Sequence, residues 1–375
     1  MTLPQENSPA RDSDALLHLT WPVPEELICP AQHIFDTATL ARQLSDDLGP
    51  IRDEGARRAS AVKTLATARK AGMAAIAAAF KERPFAARDM TRSYTYLTDC
   101  LVRSCFAVAT QVLHPLSTPT EQERISVLAV GGYGRGEMAP HSDVDLLFLT
   151  PYKLTPWAES VIESMLYMLW DIRLKVGQSS RTIKDCMRLG AEDFTIRTAM
   201  LEHRFVEGDA ETAVELDTRL WEDLFKGTEA EFIEAKLAER DVRHIKQGQR
   251  YVVEPNVKEG KGGLRDLQSL FWIAKYVHGV HDVAALVALD VFTEEEFATF
   301  EAAESFLWAV RGHLHLISGR ASEQLTFDLQ VEVAAQMGYE DGGGRRGVEI
   351  FMQHYFRHAT SVGDLTRIFL TKLEA

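Results

Sequence analysis

Apolar positions along the chain recur with two different spacings, and each spacing predicts a different kind of element. From about residue 37 to residue 112 they recur every three or four positions, which is typical of amphipathic helices. The same spacing predicts further helices over 157–170, 209–247, 264–279, 293–317, 328–337 and 347–373. Continuous or alternating apolar runs predict strands at 127–130, 144–149 and 171–176. The pattern therefore predicts an α+β fold, with a small mixed sheet between N-terminal helices and a larger helical region.

The same pattern suggests three segments. Residues 1–35 are rich in proline and polar groups and show little periodicity, so we expect an extended or partly disordered arm. Residues 36–185 combine the N-terminal helices with the sheet. Residues 186–375 form the predicted helical domain.

The most informative stretch, residues 127–149, reads VLAVGGYGRGEMAPHSDVDLLFL. Asp143 and Asp145 are two positions apart on a predicted strand, so their carboxylates point to the same face. Such a pair is unfavourable unless a cation lies between them, and Mg²⁺ prefers one or two carboxylates together with substrate phosphates. Gly131 and Gly132 let the backbone approach a phosphate chain closely. The stretch therefore predicts a site for a metal-bound nucleoside triphosphate.

Other readings of this stretch have to be weighed. A lone D-x-D is more often a solvated strand end. Residues 134–139 also fit the loose dinucleotide pattern G-x-G-x-x-A, but Pro140 stands where that motif needs a helix interior. No P-loop motif occurs in the sequence. The combination of strand, GG turn, short spacer, S-D-x-D and second strand resembles the polymerase-beta-like nucleotidyltransferases.

Nucleotidyl transfer usually needs a third carboxylate on a neighbouring strand. Asp171 is the best candidate, because DIRLKV at 171–176 resembles the D-x-R-L strand of that superfamily. The alternative is an aspartate at a helix end. Arg135 could contact phosphate oxygens or form a salt bridge. Ser142 could reach a phosphate, although capping the turn is the safer interpretation.

A second glycine-rich stretch lies at residues 251–267. Lys258 and Lys261 stand in a loop that leads directly into a predicted helix at Leu264. Two ammonium groups and the backbone amides of a helix N-terminus make a plausible site for an anion. The alternative is a solvated loop between two helices.

Composition and charge limit the functional classes. The net charge of −14 argues against a general nucleic-acid binder, which would present a basic face. The four cysteines have no C-x-x-C spacing and are expected to be reduced thiols. No run approaches 18 apolar residues and the first residues do not resemble a signal peptide, so we expect a cytoplasmic protein without membrane contact.

Four stretches resemble the bacterial PII uridylyltransferases: VGGYGRGEMAPHSDVDLLFL, KVGQSSRT, EPNVKEGKGGLRDLQSLFWIAKY and GRASEQLTFDLQVEVAAQMGY. The resemblance implies transfer of UMP from UTP to a tyrosine hydroxyl of the PII nitrogen-signalling protein, with release of pyrophosphate. It also implies Mg²⁺ or Mn²⁺ as cofactor and regulation by glutamine. Carried over by motif, Gly131 and Gly132 cradle the phosphates, and Asp143 and Asp145 bind the metals.

The sequence departs from that family pattern in one respect. The metal-dependent HD hydrolase domain and the two ACT domains of the family are not recognised between residues 1 and 375. We therefore expect the transferase half only, without the uridylyl-removing reaction or direct glutamine sensing. Two other functions stay open: transfer from another nucleotide or to another acceptor, and a non-catalytic regulatory module that binds nucleotide.

Overall fold

The computed structural model describes residues 16–118, 120–248, 252–280 and 282–374. The helices before and within the sheet region are α1 Ala31–Ile34, α2 Thr37–Leu48, α3 Glu54–Glu82, α4 Ala87–Ala107, α5 Gly131–Gly134, α6 Pro156–Asp171, α7 Ile183–Glu192 and α8 Phe194–Leu201. Those that follow are α9 Ala210–Arg219, α10 Glu229–Gln247, α11 Leu264–His278, α12 Ala285–Ala288, α13 Glu294–Ser318, α14 Phe327–Gln336 and α15 Gly347–Glu374. Helices α4 and α9 each continue into a short π-helical turn, Val108–Leu113 and Leu220–Phe225.

Four strands form one mixed sheet. They are β1 Ser126–Ala129, β2 Val144–Thr150, β3 Val176–Thr182 and β4 Arg204–Gly208. Their order across the sheet is β3-β2-β1-β4. Strand β1 is antiparallel to both β2 and β4, whereas β2 and β3 run parallel. The parallel pair is possible because helix α6 forms the crossover between its two strands.

Strand β2 is buried on both faces, which explains its almost continuous apolar sequence. Val144, Leu146 and Phe148 pack with the N-terminal helices in the main hydrophobic core. Leu147 and Leu149 face the other way, into a second core made largely by residues 183–232 and helix α11. Asp145 shares the face of Leu147 and Leu149, because strand side chains alternate. Asp145 therefore lies on the face of the sheet that is covered by this second core.

The described part of the predicted N-terminal arm is packed against the protein. Leu17, Leu19 and Ile28 are buried in the main core, and the amide of Ile28 donates to the Ser93 hydroxyl at 2.9 Å. Residues 16–35 are therefore held in place, although most of this stretch has no regular secondary structure. Residues 1–15 of the arm lie outside the described residues.

The α+β class, the N-terminal helices and the helical region are confirmed, but two strand assignments need correction. The predicted strand 171–176 is wrong, because α6 continues to Asp171 and β3 begins only at Val176. Strand β4 was missed; it lies in 186–375, the segment predicted to be a helical domain, and completes the sheet beside β1. No helix in the described ranges is both long and apolar enough to cross a membrane.

Candidate functional site

Asp145 lies on strand β2, as predicted, whereas Asp143 lies just before the strand and not on it. Asp143 is exposed in the turn before the strand, and Asp145 is half-buried. Burial raises the pKa of Asp145, the neighbouring Asp143 raises it further, and the ammonium of Lys258 opposes the shift. The pair thus holds two carboxylates together at an energetic cost, and a bound cation would remove that cost.

Two glycines leave space for the Asp145 carboxylate. Gly177 lies opposite Asp145 in the parallel pair β2–β3, and a β-carbon at Gly177 would overlap Oδ1 of Asp145. Gly131 has a φ of +60°, and a β-carbon there would lie 3.4 Å from Oδ2. Gly177 was missed as a site residue from the sequence. A glycine inside a strand often marks a close approach, and that was the available signal.

The glycine turn is fixed from behind by a buried polar cluster. The Tyr133 hydroxyl donates to Asp99 at 2.7 Å, and Arg204 donates to both oxygens of Asp99 at 2.9 and 3.0 Å. Arg204 also donates to the carbonyl of Tyr133 at 3.2 Å. Because Asp99 lies on α4 and Arg204 on β4, the cluster joins the turn to two separate elements. The backbone beside Asp145 is therefore positioned by tertiary contacts.

The aspartates open into a surface cleft of about 620 Å³. That volume is within the range of small-molecule binding sites. The cleft is lined by Asp143, Asp145, Trp170, Arg173, Leu174, Lys175, Val176 and Gly177. Two carboxylates and two cationic side chains therefore share one opening, which suits a ligand that carries both a metal ion and phosphates.

Asp171 does not line this cleft. It is an exposed residue at the C-terminal end of α6, as in the alternative interpretation. Within the described ranges, no group of three or more His, Cys, Asp or Glu side chains is placed to hold a metal ion. The structure therefore does not place Asp171 in the cleft beside the pair, although its D-x-R-L resemblance suggested it, and its catalytic role stays a prediction.

Arg135 lies in a buried ion-pair cluster. Its guanidinium contacts Glu137 at 2.9 Å and Glu202 at 3.0 Å. Burial lowers the pKa of Arg135, but Glu137 and Glu202 outweigh this effect and raise it overall. The charge of Arg135 is thus already neutralised by carboxylates, as expected for the salt-bridge alternative.

We predict that Arg135→Met lowers the free energy of unfolding by about 3 kcal/mol. Glu202 would remain almost completely buried, and Lys275, at 3.7 Å, would be its one remaining cationic partner in the described part of the chain. Denaturant unfolding would measure this loss. The matched control is Arg188→Met, which removes an exposed arginine paired with exposed carboxylates and should cost less than about 0.5 kcal/mol. Equal losses in the two variants would contradict the structural role of Arg135.

Gly132 and Ser142 belong to local turns. The carbonyl of Gly132 accepts from the amide of Glu137 at 3.2 Å. The Ser142 hydroxyl accepts from the amide of Ala139 at 2.9 Å, and so closes the turn that leads to Asp143. Turn closure is the safer of the two interpretations of Ser142. Contact of either residue with a phosphate stays a prediction.

The loop before α11 brings Lys258 near Asp145, but the first amides of α11 do not form the predicted anion site. Lys258 is close enough to Asp145 to affect its pKa, and burial together with Arg311 and Arg265 lowers the pKa of Lys258 itself. The first two amides of α11, at Leu264 and Arg265, donate to the carbonyls of Val257 and Lys258. These amides are therefore not available to an anion. Lys261 is half-buried in the same loop, and its phosphate contact stays a prediction.

A histidine on α13 supports the aspartate turn. The amide of His141 donates to Nδ1 of His315 at 3.2 Å, so Nε2 of a neutral His315 carries the proton and faces Glu323 at 3.4 Å. Glu323 also accepts from Arg311 at 2.8 Å. His141 is two residues before Asp143, so this chain of contacts connects the aspartates to the helical region. The sequence carried no signal for it.

Several known enzymes are similar to this chain. Residues 231–370 match the family model described as GlnD PII-uridylyltransferase, and residues 22–175 match that of glutamate-ammonia ligase adenylyltransferase. A bifunctional uridylyltransferase/uridylyl-removing enzyme from Ruegeria pomeroyi is 67% identical over 342 residues, which cover 91% of this chain and 38% of that protein. One from Cereibacter sphaeroides is 64% identical over 353 residues, covering 93% of this chain and 38% of that protein.

A third relative extends the comparison to lower identity. The bifunctional uridylyltransferase/uridylyl-removing enzyme from Rhodospirillum rubrum is 48% identical over 342 residues, which cover 91% of this chain and 36% of that protein. The chain thus spans less than two fifths of the length of these relatives. Over that part, its sequence is similar to the bifunctional uridylyltransferase/uridylyl-removing enzymes.

Proposed function

We propose that this chain transfers UMP from UTP to a tyrosine hydroxyl of the PII signalling protein and releases pyrophosphate. The observation that carries the proposal is the pair Asp143 and Asp145 beside the Gly131–Gly132 turn, at the mouth of a cleft large enough for a nucleotide. The relatives are named as uridylyltransferases, which selects nucleotidyl transfer among the reactions that such a pair can support.

The residues of the cleft fit a divalent metal ion. Asp143 and Asp145 offer the oxygen ligands that Mg²⁺ and Mn²⁺ prefer, and Gly177 leaves room for the Asp145 carboxylate to take up its position. Substrate phosphates would complete the coordination. When bound, the metal would neutralise phosphate charge and make the α-phosphorus more electrophilic.

Side chains of the protein would hold the phosphates, balance the charge of the aspartates and accept the proton of the attacking hydroxyl. Arg173 and Lys175 line the cleft and can contact phosphate oxygens, while Lys258 balances the charge of Asp145. The tyrosine oxygen attacks the α-phosphorus, the bond to the bridging oxygen of the β-phosphate breaks, and pyrophosphate leaves. The hydroxyl proton passes to the carboxylate nearest the acceptor.

The direct test is incubation of the purified chain with PII, Mg²⁺ and α-labelled UTP. We expect label to appear on PII, and pyrophosphate to be released in equal amount. Parallel reactions with labelled ATP and with PII lacking the acceptor tyrosine serve as controls. Incorporation from ATP but not UTP would overturn the assignment of the base, and no incorporation from any nucleoside triphosphate would favour the non-catalytic module.

One observation favours a second candidate, the transfer of AMP. The adenylyltransferase family model matches residues 22–175, which include the glycine turn and both aspartates. Nucleotidyl transfer by such a pair takes place at the α-phosphorus and does not depend on the base. Competition between UTP and ATP for one acceptor, measured as the ratio of kcat/KM values, separates the two candidates.

A further inference from the structure

A second pocket lies behind the aspartate turn and is strongly basic. Its volume is about 140 Å³. Four cationic residues line it, Arg69, Arg173, Lys175 and Arg320, and no aspartate or glutamate of the described ranges does so. In a chain with a net charge of −14, such a local excess of positive charge requires an explanation. We call this cavity the basic pocket.

Two residues that line the basic pocket carry buried polar atoms without a hydrogen-bond partner among the described residues. They are Arg69, at its Nε, and Tyr94, at its hydroxyl; Tyr94 is only 3% exposed. Buried donors in folded proteins are almost always satisfied by protein groups, ordered water or a ligand. Both atoms can donate a hydrogen bond, so an acceptor held in this pocket would satisfy them, and the surrounding cations favour an acceptor that is an anion.

The cationic side chains of the basic pocket lie close together. Arg69, Arg173, Lys175 and Arg320 line one small cavity, so their charges repel each other. Burial lowers the pKa of Arg69, because it disfavours the charged guanidinium. An anion between these side chains would relieve the repulsion.

Arg173 lies at the wall shared by the basic pocket and the aspartate cleft. Its φ of +67° ends α6: its amide donates to the carbonyl of Trp170, and the amide of Leu174 donates to the carbonyl of Leu169. A left-handed residue at this position is a common way to end a helix. The end of α6 therefore places this guanidinium beside both cavities.

We propose that the basic pocket binds a small oxyanion of the phosphate class, and that the physiological ligand is pyrophosphate. The pocket is smaller than the roughly 300 Å³ at which sites for drug-sized ligands begin, so a nucleoside is excluded. Pyrophosphate is favoured over inorganic phosphate because it has more charge to offset four cations. It is also the leaving group of the proposed transfer, and this second argument rests on the proposed function.

The pocket lies on the opposite face of the aspartate turn from the cleft. The wall of the pocket includes Met138 to Ser142 and Val144. Asp143 and Asp145 line the cleft and not the pocket. Arg173, Leu174 and Lys175 line both cavities. A bound anion would therefore contact the turn that positions the aspartates, without occupying the metal site.

The test is calorimetric titration of the whole chain with sodium pyrophosphate and, separately, with inorganic phosphate, at low salt and with EDTA to prevent metal-dependent binding in the cleft. We expect both anions to bind and pyrophosphate to bind more tightly. Arg69→Gln and Arg320→Gln should each weaken binding by about tenfold or more, and Tyr94→Phe by about fivefold. Arg320 is exposed, so its substitution is compatible with folding, and thermal unfolding verifies this for every variant.

Two controls locate the anion. Arg357→Gln removes an exposed arginine on α15 outside the pocket and should leave the affinity unchanged. The double variant Asp143→Asn, Asp145→Asn should retain pyrophosphate binding. Equal weakening by Arg357→Gln, loss of binding in the aspartate variant only, or no binding at millimolar pyrophosphate would each overturn the proposal. Tighter binding of phosphate than of pyrophosphate would overturn the choice of ligand.

The failure of this proposal is distinguishable from failure of the proposed function. UTP transfer is measured on the same protein preparation. Transfer without anion binding would reject the basic pocket and leave the transferase standing. Anion binding without transfer from any nucleotide would support the basic pocket as an oxyanion site, while rejecting both the transferase and the argument that pyrophosphate is its product.

Discussion

Replacement of Asp143 or Asp145 with alanine is expected to lower the rate of nucleotidyl transfer by about a thousandfold or more. Each substitution removes one of the two carboxylates that would hold the metal ion, and metal stabilisation of transition-state charge is worth several kcal/mol. About 4 kcal/mol corresponds to a factor of roughly a thousand. The initial rate of transfer from labelled UTP to PII measures the loss.

The control is Asp46→Ala, an exposed aspartate on α2 that should leave the rate unchanged. Undiminished transfer in either Asp143→Ala or Asp145→Ala would show that the metal assignment is wrong. The same assay on Asp171→Ala decides the predicted third carboxylate. A loss as large as that of Asp143→Ala would restore Asp171 to the site in spite of its position at the end of α6.

Loss of activity in an Asp145 variant need not come from misfolding, because removing this charge should lower the rate of transfer without lowering the free energy of unfolding. Because the pKa of Asp145 is raised in the folded chain, its ionisation disfavours folding once the pH exceeds the unfolded pKa of about 3.9. Without metal at pH 7, Asp145→Asn should therefore have a free energy of unfolding equal to or above that of the parent chain. The difference should disappear below about pH 4.

Gly177→Ala is expected to lower transfer by on the order of a hundredfold while the chain stays folded. The added β-carbon would overlap Oδ1 of Asp145 and displace the carboxylate. A displacement of about 1 Å in an active site can cost a factor of 100. Transfer rates would show the loss, and the concentration of Mg²⁺ giving half-maximal rate should rise, because metal binding is what the displaced carboxylate would impair.

The matched control for this substitution is Gly342→Ala. A β-carbon at Gly342 meets no atom within 4 Å, and the residue lies in an exposed turn before α15. Its rate and its Mg²⁺ dependence should equal those of the parent chain. If Gly177→Ala keeps the full rate and the same Mg²⁺ dependence, the position of the Asp145 carboxylate is not critical and the interpretation of Gly177 is wrong.

Local sequence was sufficient to predict those helices and strands whose own apolar spacing marks a buried face. The strands β1 and β2, the glycine turn and the long helices were predicted because apolar spacing reports directly on the buried face. The prediction of a strand at 171–176 also rested on local spacing alone, and it was wrong. The alternating pattern there is short: α6 extends to Asp171, the first residue of that pattern, and the left-handed Arg173 then follows before β3 begins. Strand β4 could not be predicted, because it is formed by pairing with β1.

Some features of the site could likewise be predicted from the sequence, and others are visible only in the tertiary structure. The sequence by itself determined that two carboxylates lie two positions apart beside a glycine turn, and that the second belongs to a strand whose side chains alternate between two faces. Only the tertiary structure decided that Gly177 makes room for Asp145, that Arg135 is neutralised by Glu202, and that the amides at the start of α11 are already bonded. It also brought Arg69 and Arg320, far apart in the chain, to one basic pocket. These contacts join residues distant in sequence, and only the folded packing of the elements specifies them.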